Sequence, residues 1–132
     1  MIIYSTFRVL LLLAISFSTA AIVASQEANS PKRIQLKPGG PAVVLEGKVG
    51  KNEETVYVFS AKAGQKFSGR ITKKDGNTGF AVTDPDNAPL PEEEYDFNTS
   101  LTGSLKKTGD YKITVTTLEK RVSQFTLAIK IN

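Results

Sequence analysis

Cysteine and histidine are both absent from the chain, and together the two absences remove most routes to catalysis. No Ser-His-Asp triad, no Cys-His pair and no zinc site of the usual nitrogen or sulfur ligands can be built. Carboxylate chemistry is what remains. A pair of acids hydrolyses a glycoside only where an apolar pocket holds the proton on one of them. Glu92, Glu93 and Glu94 instead fall in a loop beside Pro89 and Pro91. The reading is therefore of a non-enzyme that needs no cofactor. Lack of cysteine also means no disulfide, so packing and sheet hydrogen bonds must hold the domain. This is a habit of bacterial rather than small animal secreted modules. It likewise excludes a lipid-modified cysteine.

Positive charge is missing from one region. No basic residue lies between Lys74 and Lys106, while Asp75, Asp84, Asp86, Glu92, Glu93, Glu94 and Asp96 all do. Oxygens of Asp84, Asp86, Asn87, Glu92 to Glu94, Asp96 and Asn98 could take calcium, but the spacing fits no EF-hand loop, and a solvated charge run is the favoured reading. Asn98, Thr99 and Ser100 form a glycosylation pattern that matters only in a eukaryotic secretory pathway.

Long apolar runs are confined to the start. Met1 to Ser25 reads as a secretory signal, with Arg8 ahead of an apolar core from Val9 to Val23 and small residues at Ala20, Ala21, Ala24 and Ser25. The run is short for a span of about 20 residues and is broken by Ser16, Ser18 and Thr19. The expectation is thus a soluble, secreted or periplasmic protein with no stable membrane insertion. Loss of Arg8 from the 17 basic residues leaves a net charge of +3 against 13 acidic ones, too small an excess to imply nucleic acid.

Sustained helical periodicity is absent too. After a loose leader over residues 26–33, short segments of period two follow one another between turns. They are Arg33 to Lys37, Ala42 to Val49, Thr55 to Gly64, Gln65 to Thr72, Gly79 to Asn87 and Thr99 to Lys107, then a strand from Tyr111 and a last one through Phe125, Leu127, Ile129 and Ile131. About eight short strands predict an all-β antiparallel sandwich over residues 34–132, with a barrel as the alternative. Most phenylalanines and tyrosines fall at alternating positions, where core is their expected place.

Two stretches carry a resemblance. "TVYVFSAKAGQKFSGRIT" (Thr55 to Thr72) and "GSLKKTGDYKITV" (Gly103 to Val115), with the closing "FTLAIKI", resemble the bacterial pre-peptidase C-terminal domain. "TDPDN" (Thr83 to Asn87) sits where that family carries an Asp-Pro turn. The resemblance covers about residues 42–132 and implies a sandwich of jelly-roll or Greek-key-like type. A short secreted chain holding this domain alone is similar to the periplasmic inhibitors of goose-type lysozyme. Those carry a Ser-Gly-x-Tyr type loop whose Ser and Tyr contact the enzyme cleft.

Here that loop reads "TGDY", Thr108, Gly109, Asp110 and Tyr111. The resemblance implies a lysozyme-binding site at Lys106, Lys107, Thr108, Gly109, Asp110 and Tyr111, with hydroxyls and ammonium groups offered to the enzyme's carboxylates. It requires an exposed Tyr111 hydroxyl. Against this, Tyr111 alternates with Ile113 and Val115, which points its ring inward. Lys120 and Arg121 belong to the next loop and are expected at the opposite end of the strand. The rival reading is an accessory domain that binds carbohydrate on a shallow aromatic sheet face or assists another envelope partner, with "TGDY" only a turn.

Overall fold

The computed structural model describes residues 30–90 and 97–132. The signal segment and the acids Glu92, Glu93, Glu94 and Asp96 lie outside them. Nine strands occur among the described residues: β1 Lys32–Arg33, β2 Val43–Val49, β3 Thr55–Ala61, β4 Lys66–Lys74, β5 Thr78–Thr83, β6 Pro89–Leu90, β7 Ser100–Ser104, β8 Gly109–Thr117 and β9 Ser123–Ile131. They form a five-stranded sheet in the order β1-β3-β8-β5-β6 and a four-stranded sheet in the order β2-β9-β4-β7. Every pairing is antiparallel except the short β1 to β3 contact.

The pairings have a simple logic. β2 pairs with β9, β3 with β8, β4 with β7 and β5 with β6, so β2 to β5 run out and β6 to β9 run back as one long nested hairpin. The pairs β4 to β9 and β5 to β8 then roll that hairpin into two facing sheets. This is the double-sheet jelly roll, which resolves the expected choice between sandwich and barrel. Alternation drives the rolling, because each strand has one apolar face to bury and only the other sheet can cover it. Tyr57, Phe59 and Ala61 of β3, Phe67 and Ile71 of β4, Phe80 and Val82 of β5, Tyr111, Ile113 and Val115 of β8, and Phe125, Leu127, Ile129 and Ile131 of β9 form the core. Phe59 lies between Phe67 and Tyr111, both ring centroids 5.5 Å away, a stacked geometry favourable beyond area burial.

Differences from expectation sit at edges and turns. The expected strand Arg33 to Lys37 shrinks to Lys32–Arg33, because Pro38, Gly39 and Gly40 turn the chain toward the end of β9, where the Gly39 N–H donates to the Ile131 carbonyl. Strand β6 (Pro89–Leu90) was not foreseen; two residues show no periodicity. In β4 the register shifts between Ile71 and Lys73. This bulge leaves Thr72 unpaired in the ladder and turns Lys73 to the outer face. At the far end, Thr78, Thr117 and Ser123 are buried polar residues whose hydroxyls bond one another and the carbonyls of Asp75 and Asn77. No buried side-chain polar atom lacks a partner among the described residues, as a low-dielectric interior demands.

Candidate functional site

The loop Leu105 to Thr108 joins β7 to β8 at the end of the sandwich where β3 finishes, since Ala61 pairs with Gly109. The β3–β4 loop lies beside it: the Gly64 N–H donates to the Leu105 carbonyl and the Leu105 N–H to the Gln65 carbonyl, both at 2.7 Å. The β5–β6 turn, Asp84 to Ala88, flanks it on the other side. Lys120 and Arg121 occupy the β8–β9 loop at the opposite end, as expected, because Thr117 pairs with Thr78 there.

Each residue of the loop has a distinct place. Lys106, Lys107 and Thr108 are exposed. The Lys107 ammonium sits 3.0 Å from Asp84 and 2.6 Å from Asp86, and both carboxylates raise its pKa. Burial works to raise the pKa of Asp84, but N–H donors from Ala88 and Asp86 and the Lys107 ammonium outweigh it and lower the value. The two aspartates of "TDPDN" are therefore more than a solvated run: Asp84 ties its own turn and then clamps the neighbouring loop. That clamp was missed because its halves stand more than twenty residues apart in the chain. The one available signal was the long stretch of acids without a base.

Thr108 Oγ1 accepts a hydrogen bond from the Ala63 N–H at 3.0 Å. Gly109 has φ near +150°, a region essentially reserved for glycine, and an added Cβ would lie 2.9 Å from Pro85 Cγ. Asp110 pairs with Arg33 at 2.6 Å and accepts from the Ser60 hydroxyl. Hydrogen bonding from Arg33, then from Ser60, lowers its pKa.

Tyr111 departs from what the implied contact required. It is 1% exposed, with its ring against Phe59. Its hydroxyl donates to the Lys107 carbonyl at 2.6 Å and accepts from the Lys107 N–H at 3.2 Å. The alternation with Ile113 and Val115 decided its orientation, since an outward ring would leave a hole beside Phe59. Tyr111 is thus a strut beneath the loop, and its hydroxyl is not presented to solvent. The expected offer of ammonium groups is narrowed as well, because Lys107 is held by two carboxylates of its own chain. Lys106 and the outward side of Thr108 form the exposed polar tip.

Among the described residues the aromatic sheet face expected of a sugar-binding domain is also not found. Tyr57, Phe59, Phe67, Phe80, Tyr111 and Phe125 are buried, and Phe97, half-buried, covers Gly79. Among the described residues no group of acids, cysteines and histidines could hold a metal ion.

No protein-family model and no curated protein matches the sequence. Solved structures do. Aeromonas hydrophila PliG, a periplasmic lysozyme inhibitor of g-type lysozyme, aligns at a TM-score of 0.61 and 22% identity over 80% of this chain and 100% of its own. The chain has the fold of a periplasmic lysozyme inhibitor. A mutant of the Escherichia coli inhibitor aligns at 0.60 and 19% identity over the same shares, 80% and 100%. Salmonella Typhimurium PliG aligns at 0.56 and 19% over 76% of this chain and 98% of its own. The fold thus extends over essentially the full length of these inhibitors, while most side chains differ.

Proposed function

We propose that the protein is a secreted, non-catalytic inhibitor of a lysozyme of the g-type, acting in the periplasm through the loop end built on Lys106, Lys107, Thr108, Gly109 and Asp110 and propped from within by Tyr111. The observation that carries the reading is the likeness to Aeromonas hydrophila PliG over all of that inhibitor's length, and the bracing of the loop supports it. A loop held by Tyr111, by the Asp84 and Asp86 clamp and by Ala63 has little freedom left to lose. Its ordering cost on binding is correspondingly small.

The chemistry is complementary to a glycosidase cleft, which works with carboxylates. The exposed Lys106 supplies an ammonium group to that cleft. Thr108 already accepts from Ala63, which leaves its hydroxyl proton for an outward acceptor. Pairing of Lys107 with Asp84 and Asp86 cancels charge beside the tip, so the loop enters as a shaped plug. Tyr111 makes no contact in this scheme and sets the loop's height.

Lysis of peptidoglycan by goose-, chicken- and invertebrate-type lysozymes, each with the purified protein, tests the proposal. Selective loss of the goose-type activity is expected, with inhibition weakened tenfold or more by Lys106→Glu combined with Thr108→Ala. Inhibition of none of the three, or inhibition indifferent to that double change, refutes it.

A further inference from the structure

The cations of the domain are unevenly placed. On the outer face of the four-stranded sheet, register puts Lys48 opposite Gln124 and Glu46 opposite Thr126. Lys73 lies on the other side of Thr126, Arg70 beside Ala128 and Lys130 beside Ser68, and Lys66 faces Ser104. Directly paired residues share a face, so Lys48, Lys66, Arg70, Lys73 and Lys130 all point to one side. Among the described residues Glu46 and, at the rim, Asp75 are the carboxylates there. Among the described residues none of these five cations forms a salt bridge, whereas Arg33 and Lys107 elsewhere do.

The surface has shape as well as charge. A hollow of about 450 Å³ lies at one end, lined by Glu46, Lys48, Lys73, Asp75, Gln124 and Phe125 among others. A second hollow of about 330 Å³ lies at the other end of the same face, lined by Lys66, Ser68, Thr102, Ser104 and Asn132 among others. Arg70 and Lys130 lie between the two. From Lys66 to Lys73 the track runs along one strand for roughly 20 Å at the usual rise per residue, the bulge adding a residue without advancing it. The β4 bulge contributes to it directly, since it brings Lys73 to the outer face opposite Thr126.

We infer that this face binds a linear acidic polysaccharide lying along the strands. Spaced cations suit carboxylate groups repeated along one chain, and Arg70 can take one bidentately. The hydroxyls of Ser68, Ser100, Thr102, Ser104 and Thr126 and the amide of Gln124 match sugar hydroxyls. Among the described residues no aromatic ring is exposed on this face: Phe125 and Phe67, which line the two hollows, are 3% and 1% exposed. That disfavours neutral glycans held by stacking and single-stranded nucleic acid, whose bases need such a platform. Of the large exposed apolar residues among those described, only Val44 is on the face, little for a membrane surface to receive. The inference does not depend on the loop or on lysozyme.

Polygalacturonate is the probe, with dextran, duplex DNA and phosphatidylglycerol vesicles beside it. The protein is expected to bind polygalacturonate and not dextran, and to lose at least about tenfold in affinity between 0.05 and 0.5 M salt, as exposed charge contacts do. Arg70→Gln, Lys73→Gln and Lys130→Gln together should cut affinity tenfold or more. Lys112→Gln, on the opposite sheet, should leave it unchanged, and the triple variant should inhibit lysozyme as the parent does. A single Lys73→Gln, expected to weaken binding about threefold, serves if the triple variant folds poorly. Absence of binding, equal loss in Lys112→Gln, or tighter binding to DNA or vesicles overturns the inference.

Discussion

Replacing Tyr111 with Phe removes one oxygen and keeps the ring, which isolates the strut from the core packing around it. That oxygen makes two hydrogen bonds to one residue, a short donation to the Lys107 carbonyl and a longer acceptance from its N–H. Both backbone groups are partly buried, so losing their partner costs more than an exposed hydrogen bond would. For two such bonds the destabilisation is about 2 kcal/mol, or roughly 8–16 °C in melting temperature for a domain near 100 residues. The stack on Phe59 survives, so Tyr111→Ala must cost more, about 3–5 kcal/mol, through the cavity beside Phe59 and Phe67. Thermal unfolding of the three proteins gives the order wild type, Tyr111→Phe, Tyr111→Ala. Amide exchange adds a local reading: the Lys107 N–H should exchange tenfold or more faster in Tyr111→Phe. A melting temperature within about a degree of wild type, with Lys107 exchange unchanged, would refute the strut.

Gly109→Ala introduces both an unfavourable φ and a Cβ against Pro85, and should cost about 1–3 kcal/mol in urea unfolding; an unchanged midpoint would show that the turn relaxes freely. Leu105 is 1% exposed beneath the loop, so Leu105→Ala should lower stability by about 2–5 kcal/mol, checked by the same melts. Asp84 and Asp110 have lowered pKa values in the folded protein. Their stabilising contribution is therefore present above the unfolded value of about 3.9 and is lost as pH falls through the folded values. Melting temperatures between pH 6 and pH 2 should fall less steeply for Asp84→Asn with Asp110→Asn than for wild type. Identical slopes would exclude these two groups as the source. All of these changes leave the outer face of the four-stranded sheet alone, so polygalacturonate binding should be unaffected wherever the variant is folded.

The inward and outward faces were legible in the sequence because a strand alternates with period two, and each apolar position had one side to bury. The line Tyr111, Ile113, Val115 already aimed Tyr111 at the core, against the contact role that the loop resemblance implied, and it is the local pattern that holds. The strand count came within one because turns at Pro, Gly and Asn-rich sites interrupt the alternation; β6 escaped because two residues cannot show a period. What no pattern could show is which strands meet. Pairing β2 with β9, or Lys107 with Asp84 and Asp86, joins residues far apart in the chain, and such contacts are selected by how two apolar faces close on each other. The bulge at Thr72 decides where Lys73 points, and a one-residue slip there changes a side chain's face without changing composition. Alternation by itself therefore determined a two-sided β domain, while the braced loop and the charged sheet face arose only when the rolled hairpin brought distant residues together.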